Sequence, residues 1–483
     1  MFKRLLLLCS FLTVLSGCST NPATGDRQFT AFMSPASERQ VGAQEHKKVV
    51  KEYGLYDDER LQKYVSEVGG KVTAKTERPN VDYKFHLLDS PVVNAFALPG
   101  GYIYVTRGVM ALAGSEAELA AVLGHEAGHI TARHSAERYS QSVATNIGAS
   151  IISAAIDSSG VSQAFGVGSN LYLKSYSRGQ ESQADTLGIR YLERSGYDTG
   201  AMTDFLVHLQ ADSALESKLE GKSSEPRNTF FSTHPATEER VNKTRVEAYN
   251  RRNGVLGRDA YLKVLDGMIY GDSAAQGFIR GKKFVHPKFG FMFSVPKDYR
   301  LYNSVAQVVA KGMRASKGGM IVFDMVGNKE RASPMRFLRD IWLKGQDVER
   351  AEEIKIGGMK AATASIDGNV NGRAVKLQLI AVCWSDDQVA RFQVILPPSP
   401  NQEQLKALKL ATYSFAKMGE KDYKDYGSYK IRIVKAGPRD NVTTMSRNMA
   451  VEDHKTERFR VLNGLMDGSG VKSGHLYKIV AKW

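Results

Sequence analysis

A chain of 483 residues, 42% of them hydrophobic, has material for about two to four domains that each bury a core. Its formal charge of +15 comes from 66 basic and 51 acidic residues dispersed along the chain, which describes a solvated surface with some affinity for anionic polymers. Beyond the N-terminus no stretch reaches the roughly 20 consecutive apolar residues that span a bilayer, which argues against an integral-membrane enzyme.

Lys3 and Arg4 precede an apolar run, Leu5 to Leu15, of signal-peptide length and too short to span a membrane. The run ends in Leu15-Ser16-Gly17-Cys18, which resembles the lipobox of bacterial lipoproteins. That resemblance implies loss of residues 1–17, lipidation of Cys18 and, because Ser19 follows, anchorage in the outer membrane facing the periplasm. Nucleic acid is not an expected partner there. Ser19 to Gln28 is polar and carries Pro22 and Gly25, so residues 18–35 read as a tether. With Cys9 removed and Cys18 acylated, Cys383 is the remaining thiol, so neither a disulfide nor a cysteine zinc site is expected. Cys383 lies in an apolar run, read as a buried strand.

Asp82–Leu88 and Gly101–Thr106 read as strands, with Pro99-Gly100-Gly101 as the turn signal between them. Ser115 and Glu118 then read as a capping box opening a proline-free helix from Glu116 to Arg138. Leu119, Val122, Leu123 and Ile130 give that helix apolar positions at helical spacing. It carries His125-Glu126-Ala127-Gly128-His129. Residues four apart share a face, so the two imidazoles can converge on one ion, and Glu126 can take a proton from water beside it. His134, five residues beyond His129, falls well round the helix and reads as structural. Val143 to Gly168, rich in small residues, reads as a helix and loop beside the site. A second helix follows Ser177 and runs to Arg194. Glu181 and Asp185 share one of its faces. One can be the third protein ligand that tetrahedral zinc requires, while the other accepts a hydrogen bond from a ligand histidine.

Longer strings carry a family resemblance. They are Asn94-Ala95-Phe96-Ala97-Leu98-Pro99-Gly100-Gly101, the run His125 to His134, Ser177-Arg178 before Glu181, and Thr233-His234-Pro235 with Arg240 beyond. About residues 36–250 resemble the gluzincin metallopeptidase family of HtpX, the CAAX prenyl endopeptidases and the β-barrel assembly-enhancing protease. The resemblance implies one Zn2+ per chain, held by His125, His129 and Glu181, with Glu126 as general base and Asp185 behind a ligand histidine. It implies that His234 approaches the metal, either to stabilise an oxyanion or to occupy the open position. Asn94, Ala95, Phe96 and Ala97 would belong to an edge strand that pairs with extended substrate. The substrates implied are unfolded or misassembled envelope proteins.

Residues 251–282 read as a connector with five glycines. In 283–419 five strands are expected, at Gly290–Pro296, Met320–Val326, Glu353–Ile356, Val375–Trp384 and Val389–Leu396, with helices at Pro334–Lys344 and Asn401–Phe415. Residues 423–483 follow a strand–helix–helix–strand order that resembles a degenerate LysM-like module, which implies docking to peptidoglycan or to protein. No 34-residue repeat is present, a departure from the assembly-enhancing protease. The expectation is an α+β multidomain zinc endopeptidase of envelope quality control. The alternative is a chaperone-like or binding lipoprotein whose metal site is latent.

Overall fold

The computed structural model describes residues 18–155, 175–219, 234, 237–249 and 252–482, save positions 314, 315, 345, 347, 349, 371, 452 and 467. Of residues 18, 146–155, 424 and 425 the backbone alone is described. The expected signal sequence and the small-residue stretch beyond residue 155 lie outside the described residues. The chain forms two compact units: residues up to Gly271 together with Tyr429–Lys482, and Asp272–Ser428.

The first unit opens with an antiparallel hairpin, β1 (Cys18–Thr20) against β2 (Arg27–Phe29). The segment read as a tether is therefore folded, and Asn21, Ala23, Gln28, Thr30 and Met33 are buried. Its polar backbone is satisfied from outside the segment: Arg133 Nη2 donates to Met33 O at 2.7 Å, and Phe32 N donates to Ser140 Oγ at 3.1 Å. Helices α1 (Pro35–Tyr53) and α2 (Glu59–Thr73) follow, capped by Ser34 and Asp58. Strands β3 (Lys84–Leu88), β4 (Ala95–Leu98) and β5 (Tyr102–Thr106) form a sheet of order β3-β5-β4. β5 runs parallel to β3 and antiparallel to β4, which leaves β4 at an edge.

After α3 (Arg107–Leu112) comes α4 (Glu116–Thr131), buried at every position from Ala117 to Thr131. Ser115 Oγ caps it by accepting from Glu118 N at 3.2 Å. The reciprocal half of the expected capping box is missing, because Glu118 turns to accept from Gly114 N at 3.0 Å. Nor does the helix run on to Arg138. Arg133 takes a left-handed φ of 59° and a new helix, α5 (His134–Ala155), sets off in another direction.

α6 (Arg178–Arg194) opens on a capping box, Ser177 with Gln180. It packs on α4 along a seam of small residues. A Cβ on Gly128 would stand 3.1 Å from Ala184 O, and one on Gly188 would stand 3.2 Å from His125 N. Only helices that lack those carbons approach this closely, and the approach brings the two acidic residues of α6 to the histidines of α4. α7 (Ala201–Leu219), α8 (Glu238–Ala248), α9 (Arg258–Leu265) and the short β6 (Ile269–Tyr270) complete this stretch.

The second unit is α+β, as expected, but richer in strands. β7 (Phe278–Arg280), β8 (Lys283–His286), β9 (Phe291–Ser294), β10 (Tyr299–Asn303), β11 (Val308–Gly312) and β12 (Met320–Gly327) come first. After a single turn α10 (Pro334–Arg336) that continues as a π-helix to Trp342, β13 (Arg350–Ile356), β14 (Met359–Val370), β15 (Arg373–Ser385) and β16 (Gln388–Leu396) follow. Then come α11 (Gln402–Tyr413), β17 (Ala416–Lys417) and α12 (Glu420–Asp425). The main sheet is antiparallel with order β10-β11-β12-β16-β15-β14-β13, and phenylalanines 291, 293, 323, 392 and 415 pack on one face. Cys383 sits on β15 but is half-buried rather than buried, at a register shift in the β15–β16 ladder.

The chain then returns to the first unit as β18 (Tyr429–Lys435), α13 (Val442–Arg447), α14 (Lys455–Leu462) and β19 (Leu476–Lys482). The strand–helix–helix–strand order is the expected one; its independence is not. β18 pairs with β19 and also with β6, and Phe459, Leu462, Tyr477 and Val480 join the same core as Leu119 and Leu123 of α4. The boundary falls at Gly271 instead of near 282, because β6 is held by β18.

Candidate metal centre

His125 and His129 project from one face of α4, with their Nε2 atoms 3.1 Å apart. Glu181, from α6, places its carboxylate oxygens 3.5 Å from each of those nitrogens. His234 enters from the segment before α8, with Nδ1 2.8 Å from Glu181 Oε1 and 3.3 Å from His125 Nε2. One ligand atom from each of the four lies within 4.8 Å of the others, and all four residues are buried. Two imidazole Nε2 atoms that face each other have lone pairs aimed at one point. A proton satisfies one of them; a cation satisfies both. Nitrogen and carboxylate donors in a buried group of four suit Zn2+.

Asp185 stands behind the first histidine, its Oδ1 2.9 Å from His125 Nδ1. Of the two acidic residues on this face, Glu181 thus meets the donor cluster and Asp185 orients it. Arg240 of α8 ties them together, donating to both Asp185 oxygens at 2.8 and 2.7 Å and pairing with Glu181 Oε2 at 2.8 Å. This clamp role was not read from the sequence, where Arg240 figured only by its distance from His234. Burial works to raise the Asp185 pKa, but Arg240 and His125 outweigh it and hold the carboxyl below its ordinary range. Burial likewise works to lower His125, yet Asp185 and Glu181 lift it to about 10. His129 shows the opposite result, its burial outweighing Glu181 and driving it well below the usual imidazole value.

Glu126 has no exposed surface, and neither carboxylate oxygen has a hydrogen-bond partner among the described residues. Burial pushes its pKa up, partly offset by His234 and His125. An unpartnered, desolvated carboxylate beside a metal site is prepared to take a proton.

His134 is not turned away, as reading one continuous helix implied. The break at Arg133 carries its ring back, so that its Nδ1 lies 2.8 Å from His129 Nδ1. Tyr176, which the sequence gave no reason to choose, stacks on His129 with ring centroids 3.7 Å apart and planes 16° apart. A cavity of about 400 Å³ adjoins these rings, lined among others by His129, Tyr176, Ile130 and the Ala97-Leu98-Pro99-Gly100 end of β4. Ala95, Phe96 and Ala97 lie on that edge strand, while Asn94 precedes it and closes the ladder by accepting from Thr106 N at 3.0 Å.

Residues 59–248 match the family model described as peptidase family M48. Mitochondrial metalloendopeptidase OMA1 of Schizosaccharomyces pombe is 31% identical over 227 residues, 46% of this chain and 64% of that one. The β-barrel assembly-enhancing protease of Escherichia coli K12 is 28% identical over 219 residues, 43% of each chain. Metalloprotease LoiP of the same organism is 27% identical over 258 residues, 50% of this chain and 95% of LoiP. The chain thus spans less than two thirds of the first two relatives. The matched segment contains the whole donor cluster, Glu126 and Arg240.

Proposed function

We propose that the chain is a zinc metalloendopeptidase of the cell envelope, acting on unfolded or misassembled proteins. The observation that carries this reading is the juxtaposition of the buried His125, His129, Glu181 and His234 group with an unpartnered Glu126 carboxylate. Held by His125, His129 and Glu181, zinc would supply Lewis acidity towards a peptide carbonyl. Glu126 takes the proton of the attacking water and returns it to the departing amine. Strand β4, at the edge of its sheet and ending at the cavity beside His129, suits an extended segment bound through its backbone. Such binding selects for lack of structure more than for sequence.

The lipobox-like Leu15-Ser16-Gly17-Cys18 supports attachment to the outer membrane through Cys18. The name of one relative, the β-barrel assembly-enhancing protease, is in keeping with envelope substrates. Contact with peptidoglycan through residues 423–483 is the further part of this reading, supported by the strand–helix–helix–strand order alone. The deciding experiment is Glu126→Gln. It should keep one zinc per chain by metal analysis and lose cleavage of denatured casein; full cleavage by that variant would end the mechanism.

A further inference from the structure

The first unit holds a line of hydrogen bonds that runs away from the metal centre. His129 Nδ1 and His134 Nδ1 lie 2.8 Å apart. His134 Nε2 lies 2.7 Å from Gln183 Oε1, and Asn21 Nδ2 donates to that same oxygen at 3.2 Å. Asn21 belongs to the turn of the N-terminal hairpin, where its Oδ1 accepts from Ala23 N at 2.9 Å and its own N donates to Asp26 O at 2.7 Å.

The protons along this line can be placed from one end to the other. With His129 Nε2 directed to the donor cluster, its Nδ1 bears the proton and donates to His134 Nδ1. His134, accepting there, bears its own proton on Nε2 and donates to Gln183 Oε1. Gln183 must then present its oxygen, and the Asn21 amide fixes that orientation by donating to it. Each member has one arrangement that satisfies its neighbour. The two ligand histidines are therefore braced differently. His125 rests on the Asp185 carboxylate, neutralised by Arg240, whereas His129 rests on an uncharged line that ends in the hairpin.

We propose that His134 and Gln183 are positioning residues for the metal ligand His129, and that the N-terminal hairpin is the outermost member of that brace. This rests on reading His129 as a zinc ligand. The hairpin then has a task in the metal centre besides joining the domain to whatever precedes it. Loosening it at Asn21 frees the Gln183 amide to turn, which offers His134 a donor where it needs an acceptor.

The test is zinc affinity, measured on the full chain by competition with a chromogenic chelator, with melting of the zinc-free proteins recorded alongside. His134→Phe is expected to raise the dissociation constant about 10–100-fold, the usual effect of losing a partner behind a ligand histidine. Gln183→Leu should weaken binding in the same direction, and Gln183→Glu, which still accepts from His134, should restore it to within about twofold of wild type. Asn21→Ala should give a smaller loss of the same sign. In the cobalt-substituted protein the visible bands of His134→Phe should shift, which a space-filling role would not cause. Half-buried Gln183 tolerates substitution, so the Gln183 pair decides the matter even where His134→Phe folds poorly. Wild-type affinity in Gln183→Leu, or equal losses in Gln183→Leu and Gln183→Glu, overturns the brace. Unchanged affinity in Asn21→Ala removes the hairpin from it. A wild-type protein that holds no zinc would instead bring down the peptidase reading itself.

Discussion

His234 Nε2 stands 3.6 Å from Glu126 Oε1, while Nδ1 of the same ring lies 2.8 Å from Glu181 Oε1. One imidazole thus spans the gap between the base and the carboxylate ligand, where water and a peptide carbonyl have to meet. As a fourth donor, His234 would close the position that a catalytic zinc leaves open. His234→Ala is expected to retain zinc and to cleave denatured casein about tenfold faster, as when the competent state is otherwise a minor population. A fall in turnover with unchanged zinc content would assign His234 to transition-state stabilisation instead.

The donor pairs could be read from the sequence because His125 and His129 are four apart, as are Glu181 and Asp185, a spacing that places each pair on one helical face. What escaped was set by tertiary geometry. The break at Arg133 carries no proline or glycine signal, so His134 was placed on the wrong side of a helix that ends before it. Tyr176 and Arg240 act through stacking and chelation across elements, which no periodicity encodes. In the second unit β14 was missed because Met359–Val370 is rich in alanine and carries Asp367, Gly368 and Asn369. Its strand state comes from pairing between β13 and β15, not from propensity. The hairpin at Cys18–Phe29 looked like a tether because its partners Gln183 and Arg190 lie 162 and 167 residues further along the chain.

His208 and Glu118 join α7 to the start of α4 through a contact of 2.8 Å. Burial works to lower the His208 pKa, but Glu118 raises it above its ordinary value; burial works to raise Glu118, but His208 brings it below. The histidine contributes stability that is complete below its unfolded pKa of about 6.5 and lost as pH rises through its raised folded value. The carboxylate contributes stability complete above about 4.5 and lost as pH falls through its depressed one. The pair is therefore worth most between about pH 4.5 and 6.5. The melting temperature of His208→Gln should fall furthest below wild type near pH 6, and the gap should narrow towards pH 9. A gap that is constant across that range would mean the two groups do not titrate against each other.

Lys478, on β19, is buried at 1% exposure with its Nζ 2.6 Å from Ala111 O and 2.8 Å from Ala113 O. These are carbonyls at the C-terminal end of α3, which no later turn of that helix can satisfy. The last strand of the chain thus plugs the turn that leads into α4 and its paired histidines. Burial brings the Lys478 pKa down to about 7, against the attraction of Glu118. Lys478→Met keeps the length and apolar stem of the side chain but strands the carbonyls, at a cost of about 2–3 kcal/mol. It should lower the urea midpoint of the first unit and, by loosening the entry to α4, make zinc easier to strip with a chelator. If the midpoint falls while zinc release is unchanged, the plug supports the fold without reaching the metal centre.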